Sequence, residues 1–220
     1  MCGRFAFDTD LRQITNRFDA GTNLSSVSRH FNVAPGMQMP IIIRKSPNSA
    51  VLARWGLIPF WAKDPKIGYK MINARAEGIA EKPAFRKPFR SQRCLVPATG
   101  FYEWRHIDGD KVPYYIHLKT ENLFAFAGLY DEWKDVEGRG LTTFTIITTT
   151  PNSFMQPIHD RMPVIFDKDE EDAWLDTSFY DLTVLQNMLD SYPDKRMEAY
   201  PVTKAVNNPE NDTPKMLEIV

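Results

Sequence analysis

Cysteine is scarce, no long apolar run exists, and the usual cofactor signatures are missing. Cys2 and Cys94 are the only cysteines among 220 residues. That is too few for a disulfide framework, and both are expected as free thiols. No run of about 18 apolar residues occurs, so no transmembrane helix is predicted. Asp8 and Asp10 fall where a secretory signal would carry its apolar segment. A cytoplasmic protein away from membranes is therefore the expectation. There is no C-x-x-C, H-E-x-x-H or G-x-S-x-G, and the only G-x-G, Gly138-Arg139-Gly140, sits in a charged turn. His30, His106, His117 and His159 are scattered, so neither a metal nor another cofactor is predicted. Gly/Ser linkers, repeats and low-complexity tracts are absent too, and one domain over residues 1–220 is expected.

What is present is a core and many short strands. Hydrophobic residues make up 43% of the chain and aromatics 12%, enough for a sizeable interior. The 16 prolines are spread along the sequence and favour short strands with irregular connections. Asp8-Thr9-Asp10 ahead of Leu11, Ile14 and Phe18 predicts a capped helix. Residues 40–44, 50–57, 93–105, 112–118, 123–130 and 141–149 read as strands, with Asp108-Gly109 as a hairpin turn. Short helices are predicted over 169–175 and 181–190, where Leu182, Leu185 and Leu189 recur at helical spacing. Residues 207–214 read as a polar loop. Strands this close, with few helices between them, predict an α+β domain of antiparallel, barrel-like sheets flanked by a few helices.

Net charge is −1 but unevenly placed. Residues 1–105 carry 17 Lys/Arg against 7 Asp/Glu, and residues 106–220 carry 10 against 21. The halves, +10 and −11, either complement each other in the fold or present a basic surface to a polyanion. Cations and aromatic rings interleave from Arg54 to Arg93, through Trp55, Phe60, Trp61, Lys63, Lys66, Tyr69, Lys70 and Arg75. Between 82 and 93 there are five basic residues and no acid. Such mixtures bind single-stranded nucleic acid, cations tracking phosphates and rings stacking on bases; they also arise where rings are core and cations a solvated face. Trp61 is the best stacking or wedge candidate.

Cys2 stands out for its position. Loss of Met1 would leave an amine of pKa about 7.7–8.0 beside a thiol of about 8.5. An aldehyde meeting that pair gives a Schiff base, which the thiol closes intramolecularly to a five-membered thiazolidine. Four segments supply context: Phe31-Asn32-Val33-Ala34-Pro35-Gly36, Met71-Ile72-Asn73-Ala74-Arg75-Ala76-Glu77, Gly100-Phe101-Tyr102-Glu103-Trp104 and Ile158-His159-Asp160-Arg161-Met162-Pro163. Strand alternation puts Phe101 and Glu103 on one face and Tyr102 and Trp104 on the other. A Glu beside aromatics is either a desolvated acid/base or an edge residue facing water. His159 is either an acid/base or a cap. Asn73 either donates to a developing oxyanion or closes an Asx turn.

Those segments, with Met1-Cys2-Gly3-Arg4-Phe5 and a closing Pro201-Val202-Thr203-Lys204-Ala205-Val206-Asn207, resemble the SOS response-associated peptidase (SRAP) family of abasic-site processing proteins across nearly the whole chain. The resemblance implies a sensor of abasic sites in single-stranded DNA that cross-links to the opened sugar aldehyde through Cys2. It implies that Asn73 orients Cys2 or the sugar hydroxyl, that Glu103 is the acid/base, and that His159 assists ring opening and reversal. It assigns Arg4, Arg75 and Arg161 to phosphates, and places Trp61, Lys82 and Arg86 on the DNA-binding face. Lyase and self-processing peptidase activity, a monomeric state and no cofactor are implied as well. Ala62 stands where relatives carry a second Trp, and Pro83 where a basic residue is expected, which bears on DNA affinity rather than chemistry. A Met-Cys-Gly start is similar also to N-terminal-nucleophile glutamine amidotransferases, but the Asn-Gly pair wanted for their oxyanion hole is missing. A non-catalytic DNA-binding module, with Cys2 incidental, is the third reading.

Overall fold

Asp10 starts the first helix with a capping box. Its Oδ1 accepts the Gln13 N–H at 2.8 Å, and the Gln13 side chain accepts the Asp10 N–H at 3.1 Å. The structure, a computed structural model, describes residues 2–45, 47–178 and 181–220; Met1, whose removal the sequence reading invokes, lies outside them. The helices are α1 (Leu11–Arg17), α2 (Arg86–Ser91), α3 (Lys168–Leu175) and α4 (Leu182–Asn187). None is long and apolar enough to cross a membrane among the described residues. The strands are β1 (Phe5–Phe7), β2 (Ala20–Thr22), β3 (His30–Val33), β4 (Gln38–Ile43), β5 (Asn48–Trp55), β6 (Asn73–Arg75), β7 (Arg93–Ala98), β8 (Gly100–Ile107), β9 (Asp110–Leu118), β10 (Phe124–Lys134), β11 (Gly140–Thr149), β12 (Met162–Pro163) and β13 (Met197–Pro201).

Five strands close into a barrel, in the order β11-β10-β7-β4-β5 and back to β11. Four of its joints are antiparallel. An odd ring cannot alternate direction throughout, so one joint must be parallel; it is β5–β11, where Thr143 pairs with Arg54 and Phe144 with Trp55. The sequence predicts the α+β class and the barrel, and both are observed. It does not predict the parallel joints, which β6 adds to by pairing with β11. Trp55 and Phe144 stack across the joint at 6.3 Å between centroids.

A second sheet, β13-β9-β8-β1-β3, lies against this barrel. β1 joins the two layers. Its Phe5 packs on Trp55 at 5.1 Å and on Phe126 at 5.9 Å, while Ala6 turns to a smaller cluster with Tyr102, Tyr115, Val202, Val206 and Met216. All three β1 residues are fully buried, at about 25 cal/mol per Å² of apolar surface removed from water. Strand β1 is thus pinned from both faces, close behind Cys2.

The single strand expected over 93–105 is two strands. β7 belongs to the barrel and β8 to the second sheet, and the chain changes sheet at Thr99. Gly100 permits this because a Cβ there would run into the Tyr115 ring. Asp108 and Gly109 both take positive φ, 50° and 86°, as a tight hairpin turn requires. The helix expected over 181–190 is shorter, Leu182–Asn187, with Leu185 and Leu189 buried. The polar tail is irregular but firmly held: Asn32 donates to the carbonyls of Val206, Asn208 and Asn211, and Asp212 accepts the N–H groups of Phe31 and Asn32.

Candidate active site

β1 pairs antiparallel with β8, Phe5 opposite Phe101 and Ala6 opposite Gly100. Continued by two residues, that register lays Gly3 beside Glu103, and the Tyr102 N–H donates to the Arg4 carbonyl at 3.0 Å to hold it. Cys2 therefore ends up beside the acid. From the barrel side, β6 carries Asn73, whose Nδ2 donates to the Cys2 carbonyl at 2.8 Å. Asn73 Oδ1 is buried and has no hydrogen-bond partner among the described residues. From a third direction comes His159, on the turn before β12, with its Nε2 3.8 Å from Glu103 Oε2. Cys2, Asn73, Glu103 and His159, spread over 157 positions of sequence, meet at one place.

The electrostatics follow from burial. Cys2 is fully buried, and loss of water, reinforced by the nearby Glu103 charge, pushes its thiol far above the ordinary range. The thiol waits as a neutral SH. Glu103 is 2% exposed, and desolvation raises its pKa to about 7, with Asp160 adding to the effect. Near neutral pH it can both give and take a proton. Desolvation lowers the pKa of His159, so its ring is mainly neutral. The Arg161 backbone N–H donates to His159 Nδ1 at 3.0 Å, which leaves the ring proton on Nε2, facing Glu103. On taking a second proton, Nδ1 can turn to the Asp160 carboxylate 2.8 Å away.

The remaining expected contacts divide into committed and open groups. Arg161 grips both Glu77 oxygens at 2.7 and 2.9 Å and the Thr148 carbonyl at 2.6 Å. Arg4 donates to Asn32 Oδ1 at 2.8 Å, to the Val206 carbonyl at 2.7 Å and to the Asn207 carbonyl at 3.2 Å. Arg75, Lys82 and Arg86 are exposed. Trp61 is 49% exposed and Phe60 54%, with Lys87 Nζ over the Phe60 ring at 4.4 Å. The buried Asp131 accepts the Phe60 N–H at 2.9 Å and so props up that aromatic segment. Arg93, in the same basic run, is fully buried and donates to the carbonyls of Phe89, Arg90, Trp174 and Asp176; it ties α2 and α3 to β7 and contributes nothing to a basic surface. Sequence reasoning gave no role to Asp131, nor to Trp104, His106, Lys111 and Asn207, which with Glu103 and His159 line a cavity of about 430 Å³.

A free cysteine at position 2, fully buried between a barrel and a sheet, puts the leading residues inside the fold beside Glu103 and Asn73. The chain belongs to the family described as SOS response associated peptidase (SRAP), which it matches over residues 1–209. It is 49% identical over 222 residues to the abasic site processing protein YoqW of Bacillus subtilis, with 99% of each chain covered. It is 34% identical over 222 residues to the abasic site processing protein HMCES of Xenopus tropicalis, covering 86% of this chain and 66% of that one. A protein of Bacteroides thetaiotaomicron solved by X-ray crystallography has the same fold, with a TM-score of 0.91, 32% identity and both chains fully covered.

Proposed function

We propose that this protein recognises abasic sites in single-stranded DNA and caps them covalently through Cys2. The observation that carries the reading is the meeting of buried Cys2 and Glu103 with half-buried Asn73 and His159 at one place, in a family whose named relatives are abasic site processing proteins.

The chemistry follows from the site. Hydrolytic removal of Met1 frees the amine of Cys2, and Asn73 Oδ1, buried without a partner among the described residues, offers that amine an acceptor on the same amide that holds the Cys2 carbonyl. The abasic sugar is in equilibrium with its open aldehyde; the Nε2 proton of His159 serves the ring oxygen as it opens. The amine attacks the aldehyde carbon first, because burial keeps the thiol protonated. Glu103, with a pKa of about 7, protonates the departing hydroxyl, and water leaves to give an imine. The Cys2 sulfur then adds to the imine carbon, and its proton passes to the nitrogen by way of Glu103. The product is a thiazolidine, formed with loss of one water. Where closure lags, the imine acidifies the neighbouring sugar C–H, and its deprotonation expels the 3′ phosphate, which is the lyase reaction. The Cys2 thiol can also attack the carbonyl of the preceding Met1, moving that acyl group from nitrogen to sulfur and freeing the amine, and hydrolysis of the thioester then releases Met1 as a self-processing peptidase step.

The test is a denaturing gel and an intact mass after mixing the protein with a single-stranded oligonucleotide carrying one abasic site. A species equal to protein without Met1, plus DNA, minus one water is expected. No covalent species, with Met1 shown to be absent, would overturn the reading.

A further inference from the structure

An abasic sugar inside a strand arrives with a phosphate on each side, and the carboxylate of Glu103 repels both. Two of the cations the sequence offers for them, Arg4 and Arg161, are committed to internal acceptors, Arg4 to Asn32 and the tail carbonyls, Arg161 to Glu77 and the Thr148 carbonyl. Arg75, exposed and two residues from Asn73, remains for one phosphate. The cavity of about 430 Å³ lined by Glu103 and His159 is lined by two further basic side chains, His106 and Lys111. They are directly opposed across the β8–β9 hairpin, so they project from the same face of the sheet. Both are exposed, and no hydrogen bond or ion pair holds either among the described residues. Their acidic neighbour Asp110 is bonded to Lys204 at 3.2 Å, which offsets its charge. Trp104, two residues before His106 on that face, is locked by its Nε1 donating to Asn207 Oδ1 at 2.7 Å and gives the wall a fixed edge.

We infer that Lys111 and His106 form a phosphodiester subsite that takes the DNA backbone phosphate next to the abasic sugar, on the side away from Arg75. The subsite deepens the proposed function and rests on it. Lys111 supplies the permanent charge and His106 a hydrogen-bond donor, and together they hold the strand so that the sugar, rather than a base, faces Glu103.

The experiment is the salt dependence of binding to a single-stranded oligonucleotide bearing one tetrahydrofuran abasic analogue, which has no aldehyde and cannot react, followed by fluorescence anisotropy. Each lost phosphate contact on a single strand lowers the slope of log K against log salt by about 0.7. Lys111→Gln is expected to lower the slope by that amount and to weaken binding several-fold at low salt. Lys111→Arg is expected to keep the wild-type slope, which a purely structural role for the lysine stem would not require. An unchanged slope in Lys111→Gln, with wild-type protein still forming its covalent adduct on natural abasic DNA, would overturn the subsite and leave the proposed function standing. Wild-type protein that neither binds the analogue nor reacts with abasic DNA would overturn both.

Discussion

The side-chain amide of Asn73 holds the backbone carbonyl of Cys2 at 2.8 Å. A strand added to the barrel thereby reaches across to the residue that leads into β1 of the second sheet. A hydrogen bond of this kind contributes about 1 kcal/mol net. Asn73→Ala is expected to slow adduct formation about fivefold at saturating DNA, while affinity for the unreactive analogue stays within twofold. Single-turnover gels measure the first and anisotropy the second. A loss confined to affinity would place Asn73 on the DNA and not on Cys2.

Glu103 should cost stability in return for its reactivity. Burial raises its pKa from an ordinary 4.5 to about 7. Between those values the folded chain holds a proton that the unfolded chain has lost, so stability falls as pH rises through that window. Glu103→Gln removes the penalty. The variant should be more stable than wild type above pH 7, by something on the order of 3 kcal/mol, and should show little gain near pH 4.5. Denaturant melts at the two pH values check this; equal stability at both would show that the carboxylate is not desolvated.

The pH dependence of the reaction has the same origin. Glu103 protonates the departing hydroxyl only in its acid form, so that limb of the rate should fall as pH rises through about 7. The amine limb rises over about 7.7–8.0 as the terminus loses its proton, giving a bell. Glu103→Gln should lose the falling limb and about 10²–10⁴-fold in rate. A wild-type profile that climbs steadily across this range would remove Glu103 from the chemistry.

Arg161 and Glu77 form a clamp behind His159. Arg161 offers its backbone N–H to the imidazole while its guanidinium holds Glu77. Glu77→Gln should loosen the turn and expose the ring, so the depressed pKa of His159 should rise toward its ordinary value. An NMR titration of His159 reads this directly. An unmoved pKa, with binding weakened instead, would return Arg161 to the DNA backbone.

Much of this was legible in order along the chain. The alternation of Phe101, Tyr102, Glu103 and Trp104 already put the acid on one face with Phe101, Asp108-Gly109 announced the hairpin, and Asp8-Thr9-Asp10 announced the capped start of α1, because each depends on neighbours within a few residues. The β5–β11 joint depends on ring closure between segments about 90 residues apart, and no local pattern announces it. Arginines were harder still. Arg4, Arg75, Arg93 and Arg161 look alike in sequence, yet Arg93 is a buried tie between helices, Arg4 and Arg161 are clamps, and Arg75 is open. The difference lies in which carbonyls and carboxylates the fold brings to each. The Trp104–Asn207 contact was invisible for the same reason, since it joins residues 103 positions apart.

The central claim is condensation at the amine and thiol of Cys2, and peptide mapping of the purified DNA adduct tests it most directly. The account predicts that the sugar remnant sits on residue 2, that borohydride leaves its mass unchanged because the imine has already closed, and that Cys2→Ala gives no borohydride-independent adduct. A remnant mapped to a lysine, or an undiminished stable adduct from Cys2→Ala, would contradict it.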